Sequence, residues 1–119
     1  MTVSPNGALV QRAIAAIWNR AELDLADALF APDYVNHGGL IPDLVRGPEA
    51  IKVSVVLYHT AFPGLQLSVE DLLVQGELVA IRWLARRHRP AAPLMGMTFS
   101  RCAGGQIAES WTCWQAPAP

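Results

Sequence analysis

The second half of the chain contains two glycine turn signals, each set between segments long enough to be strands. In the first, Gln75-Gly76 separates residues 65–74 from residues 77–88. Glycine in such a place is typical of a two-residue β-hairpin turn, because it adopts a positive φ without a steric penalty. This signal constrains the fold more than any other, since a hairpin fixes both strands and their antiparallel direction.

The second turn signal predicts which residues share a face of the sheet. Gly104-Gly105 joins residues 95–102 to residues 106–114, and an undistorted hairpin there pairs Thr98 with Trp111. Because side chains alternate between faces along a strand, one face is predicted to carry Thr98, Ser100, Glu109, Trp111 and Cys113. The opposite face then carries Met97, Phe99, Arg101, Ala108, Ser110 and Thr112.

The first half of the chain is predicted to form three helices. Ser4 and Pro5 fit the N-cap and first position of a helix, and an apolar stripe follows at three- and four-residue spacing: Val10, Ile14, Ile17 and Trp18. A second helix is expected over residues 23–30 and a third over residues 47–62, with a loop at 33–46 between them. Helices followed by strands predict an α+β domain with its helices on one face of a curved sheet.

Composition limits the classes of partner. The chain has 119 residues, of which 52% are hydrophobic and 16% charged, so we predict one domain over residues 1–119 with a flexible tail at 116–119. Nine Lys and Arg against ten Asp and Glu leave no basic surplus, which argues against a nucleic acid or membrane partner. The large apolar fraction calls for a pocket, a protein partner or both.

No motif in the sequence indicates a metal or a cofactor. Cys102 and Cys113 form no zinc or redox pattern, and no glycine-rich loop suits a phosphate, so we expect neither a metal nor a cofactor. The first residues resemble no signal peptide, and free thiols are typical of a reducing compartment, so we expect a cytoplasmic protein.

Several short motifs occur in an order that resembles a known family. They are Ile17-Trp18-Asn19, Tyr34-Val35-Asn36-His37, Gly47-Pro48-Glu49, Ala61-Phe62-Pro63, Ile81-Arg82-Trp83 and the segment Gly105 to Trp111. Over about residues 10–114 this order resembles the SnoaL-like polyketide cyclases of the nuclear-transport-factor-2-like (NTF2-like) superfamily. The resemblance implies a cone of three N-terminal helices on a strongly curved, mainly antiparallel sheet. It also implies an apolar pocket inside the cone and a homodimer across the outer sheet.

The resemblance further implies a chemistry and three candidate catalytic residues. SnoaL-like cyclases close a ring by an intramolecular aldol reaction without a cofactor, which requires a base for an acidic α-proton. The family's catalytic aspartate corresponds to Thr98, whose hydroxyl cannot act as a base, and its histidine corresponds to His88 to within one residue. Glu109 is the candidate for the missing base, because a carboxylate in an apolar cavity has a raised pKa.

Four further residues are candidates for substrate binding. Tyr34 and His37 belong to a segment expected near the mouth of the cone, and Trp18 and Trp111 are the tryptophans expected to line the pocket beside a planar ligand. Each polar candidate also has a structural interpretation, such as a loop-fixing hydrogen bond for His37 or an ion pair for Glu109.

Two functions therefore stay open. The chain is either a cofactor-free cyclase or isomerase that acts on a small apolar or aromatic carbonyl compound, or a non-catalytic dimeric module that binds a small molecule or a protein. Threonine in place of the family's aspartate, at Thr98, favours the second function.

Overall fold

The structure is a computed structural model that describes residues 4–38, 45–88 and 92–115; the predicted tail at 116–119 lies outside them. Three helical segments pack on five strands. The helical segments are α1 (Pro5–Arg12), continued by a π-helix (Ala13–Asn19), α2 (Ala26–Leu29), preceded by a 3-10 turn (Leu23–Leu25), and α3 (Pro48–Ala61). The strands are β1 (Phe30–His37), β2 (Gln66–Gln75), β3 (Leu78–Arg86), β4 (Leu94–Ala103) and β5 (Gln106–Gln115).

The strands form one open sheet in the order β1-β5-β4-β3-β2. All neighbouring strands are antiparallel except β1 and β5, which are parallel. The predicted α+β class, with helices on a mainly antiparallel sheet, is confirmed. The expected loop at residues 33–46 is wrong in its first part, because residues 33–37 belong to β1. Pro32 is acceptable there because β1 is an edge strand, where a missing N–H group breaks no ladder.

The helix boundaries follow the sequence signals. Ser4 caps α1, and its hydroxyl oxygen accepts a hydrogen bond from the Gly7 N–H at 3.4 Å. Gly47, with φ of 77°, precedes the proline that begins α3. The N–H group of Phe62 bonds to the carbonyl of Tyr58 and ends this helix. The Gly47 N–H group donates to the Tyr34 carbonyl of β1 at 2.7 Å, which fixes the start of α3 beside the sheet.

A β-bulge in the second hairpin alters the predicted faces. The turn forms as expected, and Cys102 pairs with Ile107, but Arg101 pairs with Glu109, so Ala108 has no residue opposite it. One extra residue shifts the register by one and reverses the faces of the rest of the strand.

Because of this bulge, Thr98 lies opposite Thr112 and not opposite Trp111. The prediction that Glu109 and Trp111 share the face of Thr98 is therefore wrong. We call the face toward the helices the inner face and the other the outer face. Thr98 lies on the inner face, whereas Glu109 and Trp111 lie on the outer face.

The inner face carries the hydrophobic core. Its largest cluster joins sheet residues such as Val79, Cys102 and Ile107 to Ile17 of the π-helix and Val55 of α3. A smaller cluster, which we call the second cluster, consists of Leu65, Ala85 and Leu94. Among the described residues no helix is long and apolar enough to cross a membrane, and a cytoplasmic location stays a prediction.

Candidate functional site

A cavity lies between the helices and the inner face of the sheet. The cavity opens to solvent, and about 110 Å³ of it is accessible to the centre of a water molecule. All five strands contribute to its wall, together with α1, the π-helix and α3. The wall is mostly apolar, and the second cluster forms part of it, with all three of its residues in the lining.

Aromatic rings form much of this wall, and Trp18 of the π-helix is one of them. Its indole makes an edge-on contact with Tyr58, with ring centroids 5.4 Å apart. The His59 ring nitrogen Nε2 is 2.6 Å from the Trp18 carbonyl oxygen. The Asn19 amide donates to the Leu67 carbonyl at 2.9 Å and accepts from the Leu67 N–H at 2.7 Å, which ties the π-helix to β2. Trp18 lines the cavity in the described structure, and its role in substrate binding stays a prediction.

A chain of neutral hydrogen bonds crosses the inner face. Trp83 Nε1 donates to Thr98 Oγ1 at 3.0 Å, Thr98 Oγ1 lies 3.1 Å from Thr112 Oγ1, and the Thr112 hydroxyl donates to Asn36 Oδ1 at 3.0 Å. An indole N–H only donates, so the chain starts at Trp83. Because the Thr112 hydroxyl gives its one proton to Asn36, Thr98 donates to Thr112. Among the described residues, nothing accepts a hydrogen bond from the Asn36 amide nitrogen.

A second polar group lies beside this chain. The hydroxyl oxygens of Ser100 and Ser110 are 3.0 Å apart and buried. Tyr34, itself buried, bonds to Ser110, and burial raises the pKa of its phenol to about 12 although that bond opposes the shift. Tyr34 is therefore a neutral phenol at physiological pH.

The cavity contains little acid–base chemistry. Its described lining includes no carboxylate and no imidazole, and the phenols of Tyr34 and Tyr58 are its ionisable groups. Within the described part of the chain, no three His, Cys, Asp or Glu side chains are placed to hold a metal ion. Burial raises the pKa of the Cys102 thiol, and the charge of Glu77 adds to the shift; such a thiol is a poor nucleophile.

Three of the predicted site residues meet instead on the outer face. His37 Nε2 lies 2.7 Å from Glu109 Oε2, and Arg101 donates to Glu109 Oε1 at 3.3 Å. The His37 ring stacks on Trp111, with centroids 5.5 Å apart. The hydrogen bond from His37, and then that from Arg101, lowers the pKa of the Glu109 carboxyl against the opposing effect of its partial burial. The expected placement of His37, Glu109 and Trp111 at the pocket is thus corrected.

His88 also lies away from the cavity. Strand β3 ends at Arg86, and the exposed His88 follows in an irregular segment. Its backbone N–H group donates to the Pro63 carbonyl at 2.9 Å. Its ring lies against Gly64, where an added Cβ would be 2.6 Å from ring atoms. The expectation that His88 points into the cone assumed that the strand alternation continued past its actual end.

Three of the predicted site residues, Thr98, Tyr34 and Trp18, line the cavity, and their roles in catalysis or binding stay predictions. Sequence reasoning missed Asn36, Ser110, Thr112, Trp83 and Trp114. The missed signal was the spacing of small hydroxyl residues, since Thr98 and Ser100 on β4 match Ser110 and Thr112 on β5. Two such i, i+2 pairs on neighbouring strands are typical of a bonded polar ladder on one face.

An open five-stranded sheet with three helices over an inner cavity defines the NTF2-like class of fold. Residues 10–110 match the model of the SnoaL-like domain, and the chain belongs to that family. No curated protein matches the chain at a significant level.

Solved structures of several bacterial proteins are similar over nearly the whole chain. A loop truncation variant of IdmH, a protein of Streptomyces antibioticus, is 28% identical with a TM-score of 0.78, covering 93% of this chain and 92% of that one. TsrD from Streptomyces laurentii is 18% identical with a TM-score of 0.75, covering 96% and 90%. A SnoaL-like polyketide cyclase from Agrobacterium tumefaciens is 13% identical with a TM-score of 0.77, covering 95% and 93%.

Proposed function

We propose that this protein binds a small, largely apolar molecule bearing a carbonyl group in its inner cavity, and that it acts by binding and not by proton abstraction. One observation carries the proposal: the polar groups of the described cavity wall are hydroxyls, amides and indoles, several of them joined in one hydrogen-bond chain, without a carboxylate or an imidazole. Pockets with an apolar wall and a few convergent polar groups are typical small-molecule sites.

The hydrogen-bond chain supports a carbonyl as the recognised group. Each hydroxyl of the chain already donates its proton, so the donor that this chain leaves for a ligand is the Asn36 amide nitrogen. A carbonyl oxygen accepts such a bond, and an apolar wall strengthens it because few water molecules compete there. A planar carbon skeleton would then lie among Trp18, Tyr58 and Trp83, whose rings contribute large apolar contact areas.

Binding is tested with fluorescent N-phenyl-1-naphthylamine, whose emission increases when it leaves water. We expect saturable binding, and displacement by 2-acetonaphthone at a lower concentration than by 2-ethylnaphthalene, which has the same size without the carbonyl. Ser54 lines the cavity and its neighbour Val53 is 41% exposed on the same helix. Ser54→Phe should abolish binding and Val53→Phe should not. Equal binding in both variants would contradict the proposal.

A cofactor-free cyclase or isomerase is the second candidate, and the family match favours it. The similar structures include one named a SnoaL-like polyketide cyclase. An aldol closure needs a base to remove the α-proton, a bond from the resulting carbanion to a second carbonyl carbon, and a proton for the alkoxide. His88, Glu109 and His37 are the candidate bases, although each lies outside the cavity wall in the described structure.

Turnover separates the two candidates. We expect aromatic keto esters to bind and to be recovered unchanged after long incubation. A cyclised product, formed at a rate that falls in Glu109→Gln or His88→Ala, would instead establish the enzyme and return those residues to a catalytic role.

The outer face supports a homodimer as part of the same proposal. Met95, Met97 and Phe99 on β4 and Trp111, opposite Phe99 on β5, are 41–53% exposed. Methionine and aromatic residues are enriched in interface cores, and a second copy presents the same patch across a two-fold axis. Sedimentation velocity should give a dimer for the wild type and a monomer for Phe99→Glu. Val56→Glu, on the 52% exposed Val56 of α3, is the control that should stay dimeric.

A further inference from the structure

One arginine just after strand β3 is buried, and two of its nitrogen atoms have no hydrogen-bond partner among the described residues. Arg87 is 9% exposed, and its Nε and Nη1 atoms are buried and make no hydrogen bond to the described residues. A guanidinium keeps its charge inside a protein and offers five N–H donors in one plane. Buried charges are ordinarily paired, and an unpaired one indicates that a partner is missing.

The surroundings of Arg87 hold its guanidinium in place but do not satisfy its donors. The guanidinium carbon lies 5.4 Å from the centroid of the Phe62 ring. A cation over an aromatic face is attracted to it, but the N–H groups lie in the guanidinium plane and gain no acceptor from the ring. The next residue, His88, is bonded through its N–H to the Pro63 carbonyl, which fixes the backbone on the C-terminal side of Arg87.

Contacts connect Arg87 to the cavity wall through Phe62, while Arg87 and Phe62 are not themselves part of the described lining. Phe62 packs on the second cluster, and all three residues of that cluster line the cavity. Ala85, a member of the cluster, is two positions before Arg87 in the chain. The Phe62 ring under the guanidinium is thus in contact with the wall at this end of the cavity.

We propose that Arg87 binds a carboxylate carried by the molecule that occupies the cavity. A carboxylate accepts strong, charge-assisted hydrogen bonds from a guanidinium, and both Nε and Nη1 of Arg87 are buried donors that lack such an acceptor among the described residues. This inference rests on the proposed binding function and refines it: the ligand is an apolar, planar acid, with its carboxylate at the Arg87 end of the cavity.

The test compares two ligands that differ in charge but hardly in shape, 2-naphthoate and 2-naphthamide, as competitors of N-phenyl-1-naphthylamine. The wild type should bind 2-naphthoate at least about tenfold more tightly, since a charged hydrogen-bonded pair is involved. Arg87→Met should remove this preference and leave 2-naphthamide binding within about twofold of the wild type. Arg87→Lys should keep part of the preference, because it retains the charge without the fork.

Arg86→Met is the matched control. It removes the same charge at the preceding residue, whose side chain is exposed and bonds to Ser68. It should leave the preference for 2-naphthoate intact, also in 0.5 M NaCl, where exposed charges are screened. An equal loss in Arg86→Met would overturn the inference in favour of general electrostatic attraction. So would equal binding of the two ligands by the wild type, while binding of the neutral probe would still support the proposed function.

Thermal shifts of the wild-type protein give an independent answer if Arg87→Met does not fold. At equal concentrations, 2-naphthoate should raise the melting temperature more than 2-naphthamide does. Inorganic phosphate or chloride alone should leave it unchanged. An increase with phosphate alone equal to that with 2-naphthoate would overturn the inference, because the site would then take a free anion.

Discussion

The two faces of the sheet are built from the same strands but carry opposite kinds of polar group. On the inner face, Thr98 and Thr112 form a neutral chain toward Asn36. On the outer face, Glu109 accepts hydrogen bonds from His37 and Arg101 beside exposed apolar residues. A charge without a partner is costly in an apolar cavity, whereas bonded hydroxyls are not. The described inner face therefore offers neutral hydrogen-bonding groups, whereas the charged groups lie on the outer face.

The largest effect is expected where the inner face leaves no room for a side chain. Gly96 lies opposite both Trp83 and Trp114, and a Cβ at Gly96 would overlap the Trp83 indole. Gly96→Ala should displace Trp83 from the hydrogen-bond chain and lower the free energy of unfolding by about 3 kcal/mol. Urea unfolding measures this value.

The control for Gly96→Ala is the same substitution in α1. A Cβ at Gly7 would lie 3.2 Å from a methyl group of Val74, which can move aside, and alanine favours a helix. Gly7→Ala should stay within about 1 kcal/mol of the wild type. Equal destabilisation by the two substitutions would show that the inner face is not the tighter region.

The next effect concerns the buried phenol of the inner face. Burial raises the pKa of Tyr34 from 10.0 to about 12, so the neutral phenol stabilises the folded state fully below pH 10 and this contribution is lost as the pH rises through 12. The loss should reach roughly 2–3 kcal/mol.

Phenolate absorbance at 295 nm checks this prediction. The difference between the titrations of the wild type and of Tyr34→Phe isolates Tyr34, and its midpoint should be near 12. A midpoint near 10 would mean that the phenol of Tyr34 is in contact with solvent, which would contradict its burial on the inner face.

A smaller effect is expected from one hydroxyl of the inner chain. Thr98→Val keeps the shape of the side chain but leaves the Trp83 N–H without its acceptor, which should reduce the free energy of unfolding by about 1–2 kcal/mol. It should also weaken binding of 2-acetonaphthone more than binding of 2-ethylnaphthalene, since the chain orients Asn36.

Ser68→Ala is the outer-face counterpart, because the Ser68 hydroxyl accepts a hydrogen bond from Arg86 on an exposed part of the sheet. Its effect should be below about 0.5 kcal/mol. If chemical denaturation gave the same loss of unfolding free energy for Ser68→Ala and Thr98→Val, hydrogen bonds on the two faces would contribute equally to stability. The comparison between the faces would then fail.

Local sequence signals predicted the architecture but not which residues share a face. The turns at Gly76 and at Gly104-Gly105 depend on backbone conformations that glycine favours, and these are visible in a single sequence. The bulge at Ala108 has no such signal, since it depends on how β5 fits between β4 and the distant β1. A one-residue shift then moved Glu109 to the opposite face, and every site prediction based on that face moved with it.

The burial of Arg87, with two nitrogen atoms unpaired, could not be predicted from the sequence either. The sequence Arg86-Arg87-His88 is typical of a solvated strand end, and β3 does end there. Burial of Arg87 follows from packing on Phe62, which is 25 positions earlier in the chain and follows a different element. Strand β1 was missed for a related reason, because Pro32 and Asp33 are rare in strands and its pairing with β5 is a long-range contact.

The smallest effect is expected from the ion pair of the outer face. Its contribution to stability is lost at low pH, whereas that of Tyr34 is lost at high pH. The hydrogen bonds from His37 and Arg101 lower the pKa of Glu109, so this contribution to stability is present above the ordinary pKa of a glutamate and is lost as the pH falls through the lowered value. Melting temperatures between pH 7 and pH 3 should therefore decrease less in Glu109→Gln than in the wild type. Glu70→Gln, at an exposed carboxylate of β2, should follow the wild-type profile. If Glu109→Gln also followed it, the pair would add nothing measurable to stability, and the charges of the outer face would matter for its contacts alone.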